Sequence, residues 1–325
     1  MLGGLAAPHS GEWKPTFHCG EPSCSAFANV SLVLMLTFTE RIPVLLGYAD
    51  WFASELFFLT AHTIDNALRD DPEQCSRCHA LTASHRRTGC LCANFYSPLR
   101  HVHYGRAFSR AVALANGKHA NSSFTADGAT THHAGHRPVQ GVLMCHFDFF
   151  LNVRIFHGAA FDVPWLPRRG QVTFANGDDP VPRCFPAANG SALWTDKSWF
   201  WFEDARPKCS TYLAQLGESE CCYGWADILY VPRGMLRLYG TLLSAFPDLH
   251  HEVAVPTAMR ILSKRLNVTP KALSCNGGTI GRMHNERFGP FVGSPKTYNG
   301  FCAHRINLSN TDHQQIVTRF VDERW

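Results

Sequence analysis

Three acids in this chain stand where acids do chemistry: Asp148 in HFDFFLN, Asp227 in GWADILYVPR and Glu252 in HEVAVPT. Each borders an apolar run. A carboxylate at the end of a strand offers hard oxygen ligands to a divalent cation, and such a cation neutralises a departing diphosphate. A second carboxylate beside an acceptor hydroxyl serves as a general base. His146 adds an imidazole two residues before Asp148, and Asn152 adds an amide. On a strand, residues two apart share a face, so His146 and Asp148 are expected on one side of the strand's carboxyl end, where open α/β sheets bind their ligands. The plainer reading of the same residues is an edge strand with a solvated end and one capping Asp.

The elements that must position these groups follow from hydrophobic patterning. Gln140 to Asn152 reads as one buried strand with a polar tip. Asn29 to Thr39, NVSLVLMLTFT, is a continuous apolar run, as expected for a strand buried on both faces of a parallel sheet. Glu40 to Trp51 supplies a loop and helix, and Ser54 to Thr60 a second strand, which together make a βαβ unit. Cys221 to Arg233, CCYGWADILYVPR, reads as a further strand with Asp227 embedded in it. Helices are expected over 104–116, over Met235 to Phe246 and over Ala258 to Leu266, with His251 and Glu252 just ahead of the last. Residues 117–138 are rich in Ser, Thr, Gly and His and read as a surface loop. The cluster SWFWFED at 198–204 suits either a sugar-stacking surface or a core.

Composition narrows the class. The chain has 325 residues, 45% hydrophobic and 17% charged, enough to bury a sizeable core and unlike a disordered chain. A net charge of +4 is too small to imply a nucleic-acid partner. The 18 His make that charge strongly pH-dependent below about pH 6.5. The 13 Cys lie mostly in loop-like sequence, and with five N-x-[ST] sequons they favour an oxidising compartment. Their odd number leaves at least one Cys outside the intrachain pairs, and Cys145, inside an apolar run, is the expected free thiol. Cys75, Cys78, Cys90 and Cys92 suit either a zinc knuckle or a disulfide-pinned insertion around 61–100, the C-x-C spacing of the second pair favouring disulfides. Residues 1–27 read as an irregular lead-in tied by Cys19 and Cys24. No run of 18 or more apolar residues marks a membrane span. The N-terminus lacks the pattern of a signal peptide, so a luminal destination calls for a targeting segment outside this chain.

The order of these segments resembles GT-A-type glycosyltransferase-like proteins of the eukaryotic secretory pathway. The resemblance rests on residues 141–152, 222–233 and 250–257, and loosely on 29–60. It implies an α/β fold: a Rossmann-like (GT-A-type) mixed sheet flanked by helices, with long disulfide-pinned loops, forming a single catalytic domain over 28–325. It also implies a nucleotide-sugar donor, a glycan or glycoprotein acceptor and a divalent metal, Mn²⁺ above all. Carried over residue by residue, Asp148 and His304 are the metal ligands. His146, Asp148, Asn152 and Arg233 bind the donor, and Glu252 and Asp227 act on the acceptor. The sequence departs from the family's D-x-D motif, with His146-Phe147-Asp148 in its place, which removes one carboxylate.

The expected function is therefore sugar transfer from a nucleotide-sugar in the lumen of the Golgi or ER, or outside the cell. A non-catalytic glycan-binding protein that keeps the fold is the first alternative. A His/Asp metal-dependent hydrolase is the second, although HHE at 250–252 lacks the second His at helical spacing.

Overall fold

The continuous apolar run near the N-terminus becomes the centre of a sheet. The computed structural model describes residues 17–18, 25, 27–36, 41–52, 56–60, 62–64, 67–69, 72–85, 88–92, 140–146, 149–153, 155–156, 161–168, 183–186, 201–224, 226, 228–274, 302–304, 311, 314–315 and 317–318. Among these, seven strands form the main sheet. In chain order they are β1 (Val30–Leu36), β2 (Leu56–Thr60), β3 (Thr88–Cys92), β4 (Gly141–His146), β5 (Trp165–Arg168), β6 (Ile228–Pro232) and β7 (Lys271–Ser274). Their spatial order is β3-β2-β1-β4-β6-β5-β7. β1 runs parallel to β2 and β4, β2 runs parallel to β3, and β5 parallel to β7. β6 is antiparallel to both its neighbours.

Strand alternation sorts the apolar residues into two cores. Val30, Leu32 and Leu34 of β1, Leu143 and Cys145 of β4, and Ile228 and Tyr230 of β6 enter one. That core is closed by α1 (Ile42–Leu45), the 3-10 turn Leu46–Asp50 and Cys78 of α2 (Pro72–Thr82). Val33, Val142, Met144, Leu229 and Val231 enter the other. It is covered by α3 (Trp201–Leu216), α4 (Arg233–Ser244) and α5 (His251–Leu266). The fold is a mixed sheet between helical layers, with the unbroken β1 run explained by burial on both sides.

Disulfides cross-link neighbouring elements. Cys78–Cys90 ties α2 to β3. Cys184–Cys222 joins the strand Arg183–Pro186 to the strand Glu220–Tyr223, and Cys209–Cys221 joins that strand to α3. Cys75 and Cys302 are also disulfide-bonded. These bonds answer the choice posed by the Cys75–Cys92 cluster in favour of disulfides. Cys145 is free and buried, as its apolar setting suggested, and burial pushes its thiol pKa up. No helix among the described residues is long and apolar enough to cross a membrane.

Several elements differ from the sequence reading. The stretch Gln140–Asn152 is not one strand. β4 ends at His146, and Phe149–Leu151 pairs with Cys302–His304 in a separate two-stranded sheet. Phe147 and Asp148, between these two strands, lie outside the described residues. CCYGWADILYVPR likewise divides, at Gly224, into the strand Glu220–Tyr223 and β6. The segment around 61–100, read as an insertion, carries α2 and β3, and β3 pairs in parallel with β2. The end of the aromatic cluster at 198–204 opens helix α3, which continues through Pro207. The expected helix over 104–116, the loop over 117–138 and the Cys19–Cys24 link lie outside the described residues.

Candidate functional site

Strand order locates a reversal point in the sheet. The chain lays down β1, then β2 and β3 to one side of it, and then returns to place β4 on the other. The strand order reverses between β1 and β4, and in open α/β sheets ligands bind beyond the carboxyl ends at such a reversal. Met35 of β1 pairs with His146 of β4 there. His146 is half-buried at the last position of its strand. It shares parity with Val142 and Met144, which puts it on the face covered by α4 and α5.

The other two motifs reach the same edge. β6 enters the sheet there, with Ile228 opposite Cys145. Just upstream, the Gly224 N–H donates to the Glu252 carbonyl at 2.9 Å. That carbonyl is available because Pro256 follows four residues later and has no N–H to complete the helical bond. The proline of HEVAVPT and the glycine of GWADILYVPR are thus two halves of one contact. Thr257, the last residue of the same motif, makes a second. Its hydroxyl accepts from the Cys222 N–H at 2.9 Å and donates to the Cys222 carbonyl at 3.1 Å. Buried completely, Thr257 satisfies the outer edge of the Glu220–Tyr223 strand.

Glu252 sits in the first turn of α5 and is half-buried. His250 caps that helix: its Nδ1 accepts from the Glu252 N–H at 3.2 Å, and its ring stacks on His251 with centroids 4.6 Å apart. Ahead of the cap, Asp248 pairs with Lys208 of α3 at 2.8 Å and accepts from the Tyr212 hydroxyl. Burial opposes ionisation of Asp248, but these two partners outweigh it and hold its pKa below the usual carboxylate range. The Tyr212 phenol is pushed up to about 12, first by burial and then by Asp248.

On the opposite face, Tyr48 fixes the segment that follows the HFD motif. Its hydroxyl donates to the Leu151 carbonyl and accepts from the Leu151 N–H, both at 3.1 Å. Asn152, next in the chain, is only 1% exposed. His304 pairs through its backbone with Phe149, the residue after Asp148. Asp148, Asp227 and the side chain of His304 lie outside the described residues. Among the described residues, no group of three or more His, Cys, Asp or Glu converges to hold a metal.

Arg233 stands apart from the rest. It follows Pro232, which pairs with Gly141, and its N–H donates to the Gln140 carbonyl at 2.9 Å. It is therefore at the amino end of β4, the other edge of the sheet from His146. A different arginine, Arg41, opens the crossover that leaves the carboxyl end of β1, and its Nη1 is buried. The sequence reading passed over it. Its signal in the sequence is position, a cation shortly after the first long apolar run.

No protein-family model matches this chain, and no curated protein matches it in sequence.

Proposed function

We propose that this chain is a glycosyltransferase-like protein of the secretory-pathway lumen that takes a nucleotide-sugar as donor and a glycan or glycoprotein as acceptor. The observation that carries the reading is the meeting of three motif-bearing segments at one sheet edge: β4 ending at His146, β6 beginning at Ile228 opposite Cys145, and Glu252 bonded to Gly224. That edge is the strand-order reversal where a nucleotide is expected. In this reading His146 and Arg41 face the donor's diphosphate, and Glu252 with Asp227 serves the acceptor, one of them as general base. Arg233, at the far edge, is left out of the donor set.

The family resemblance implies a divalent cation, and the chemistry of the two carried-over residues supports one. A carboxylate and an imidazole suit Mn²⁺, and the pairing of His304 with Phe149 draws two distant parts of the chain together beside Asp148 in sequence. Asp148 and His304 would hold it, and when bound it would neutralise charge on the diphosphate. The disulfides and sequons suit a luminal location.

Calorimetric titration with UDP and GDP, each with and without Mn²⁺, tests the reading. Binding of one nucleotide, strengthened by Mn²⁺ and weakened in Asp148→Ala, is expected; failure of both to bind under either condition sinks it. The loss of one D-x-D carboxylate at His146 favours a second reading, a fold kept for glycan binding without transfer. Glycan-array binding that survives both Asp148→Ala and Glu252→Ala would select it.

A further inference from the structure

We propose that His250 positions Glu252 only while its imidazole is neutral, so that the start of α5 loosens in acid. His250 is the N-cap residue, in extended backbone with φ −53° and ψ 137°. The cap is its Nδ1 lone pair, which accepts the Glu252 N–H at 3.2 Å. Serine, threonine, aspartate and asparagine cap helices through oxygen, and at neutral pH none of them loses its acceptor. An imidazole does. Once protonated it carries N–H on both nitrogens and has no acceptor in either ring orientation. Protonation also sets a positive charge at the positive end of the helix and against the stacked His251 ring, 4.6 Å away.

Charged and titratable groups stand on its own segment and on the elements packed against it. On its own segment they are His251, Glu252 and Asp248. From α3 come Lys208 and Tyr212, both engaged by Asp248. From the strand Glu220–Tyr223 comes Glu220, held by Arg260 and Lys264 further along the helix. From α4 comes Tyr239, whose hydroxyl donates to the Val255 carbonyl. No neighbouring carboxylate restores the lost acceptor, because a protonated His250 has only N–H groups to offer.

The role of Glu252 in transfer rests on the proposed function; the cap does not. The experiment keeps the two apart. Hydrogen exchange of the 249–258 segment is measured at pH 7.5 and 5.5, corrected for intrinsic rates, in wild type, His250→Asn and His250→Ala. Wild type is expected to lose about fivefold of its protection at the lower pH, the size of one helix cap. His250→Asn, which accepts through Oδ1 and does not titrate, is expected to hold its protection at both, and His250→Ala to show the lower, uncapped protection at both. Wild-type protection that does not change with pH, or an Asn variant that loosens in acid as wild type does, overturns the proposal. Where transfer is measurable, the acid limb of kcat/KM is expected to flatten in His250→Asn, and an unaltered limb overturns the positioning role. The expected exchange pattern without any turnover supports the cap and counts against the transfer reading alone.

Discussion

The Gly224 N–H and the Glu252 carbonyl form a 2.9 Å hydrogen bond that joins the turn before β6 to the first turn of α5. It exists because Pro256 leaves the Glu252 carbonyl without its helical partner. Pro256→Ala restores an N–H that competes for that carbonyl. The Gly224 amide is expected to exchange severalfold faster, while the global unfolding midpoint stays the same or rises, since alanine is the better helix former. Amide-resolved exchange alongside urea melts distinguishes this loosening from general destabilisation.

Tyr48 and Leu151 make the corresponding tie on the other face, through one hydroxyl and two backbone groups. Tyr48→Phe leaves a buried N–H and a buried carbonyl without that partner. A loss of about 2–3 kcal/mol is expected in urea unfolding, more than a typical single hydrogen bond, because both groups stay desolvated.

Gly141 lies under the ring of Tyr230, and a Cβ there would fall inside the ring's van der Waals surface. Tyr230 cannot easily yield: it is fully buried, and its hydroxyl donates to the Phe161 carbonyl at 3.0 Å. Gly141→Ala is expected to cost about 1–3 kcal/mol by overpacking, readable as a lower thermal midpoint with unchanged circular dichroism at 25 °C.

Glu220 receives Lys264 and Arg260 from α5, the Lys264 hydrogen bond contributing most to holding its pKa below the ordinary value. A carboxylate with a depressed folded-state pKa stabilises the fold above its unfolded value of about 4.3 and loses that contribution as pH falls through the folded value. The pairs are partly exposed, so the effect is expected to stay under about 1 kcal/mol. Thermal midpoints of wild type should exceed those of Glu220→Gln at pH 7 and converge with them near pH 3.

Arg41→Ala is expected to weaken nucleotide binding about tenfold, in the range of a charge-assisted contact, with little change in fold. Arg233→Ala, at the opposite sheet edge, is expected to leave binding intact. The paired titrations decide which edge takes the nucleotide.

The parts of the fold legible in the sequence were those set by unbroken local pattern. The β1 run, its parallel pairing with β2, the α4 helix and the buried thiol of Cys145 all follow from apolar periodicity. The break after His146 was not legible, because Phe149–Leu151 is as apolar as a continuing strand and leaves the sheet only to pair with Cys302–His304, some 150 residues away. β3 was hidden in TGCLC, whose five residues carry little strand signal. α3 and α5 each contain a proline within the helix, which argues against a helix locally and is overruled by packing. At the site, the motifs were visible but not their sides of the sheet. Arg233 sits beside the motif strand in sequence, yet β6 runs antiparallel and delivers it to the amino end of β4, opposite His146.

Cys221 and Cys222 are adjacent, yet one bonds to α3 and the other to a neighbouring strand. Swapping their partners would cost the chain almost nothing in covalent reach. What separates the two pairings is the pleat, which sends neighbouring side chains to opposite faces. The strand has to be in place before the sulfurs can choose correctly. An oxidant acting on the unfolded chain has no means of telling the two thiols apart, so correct oxidation here serves as a chemical record that the Glu220–Tyr223 strand had already formed.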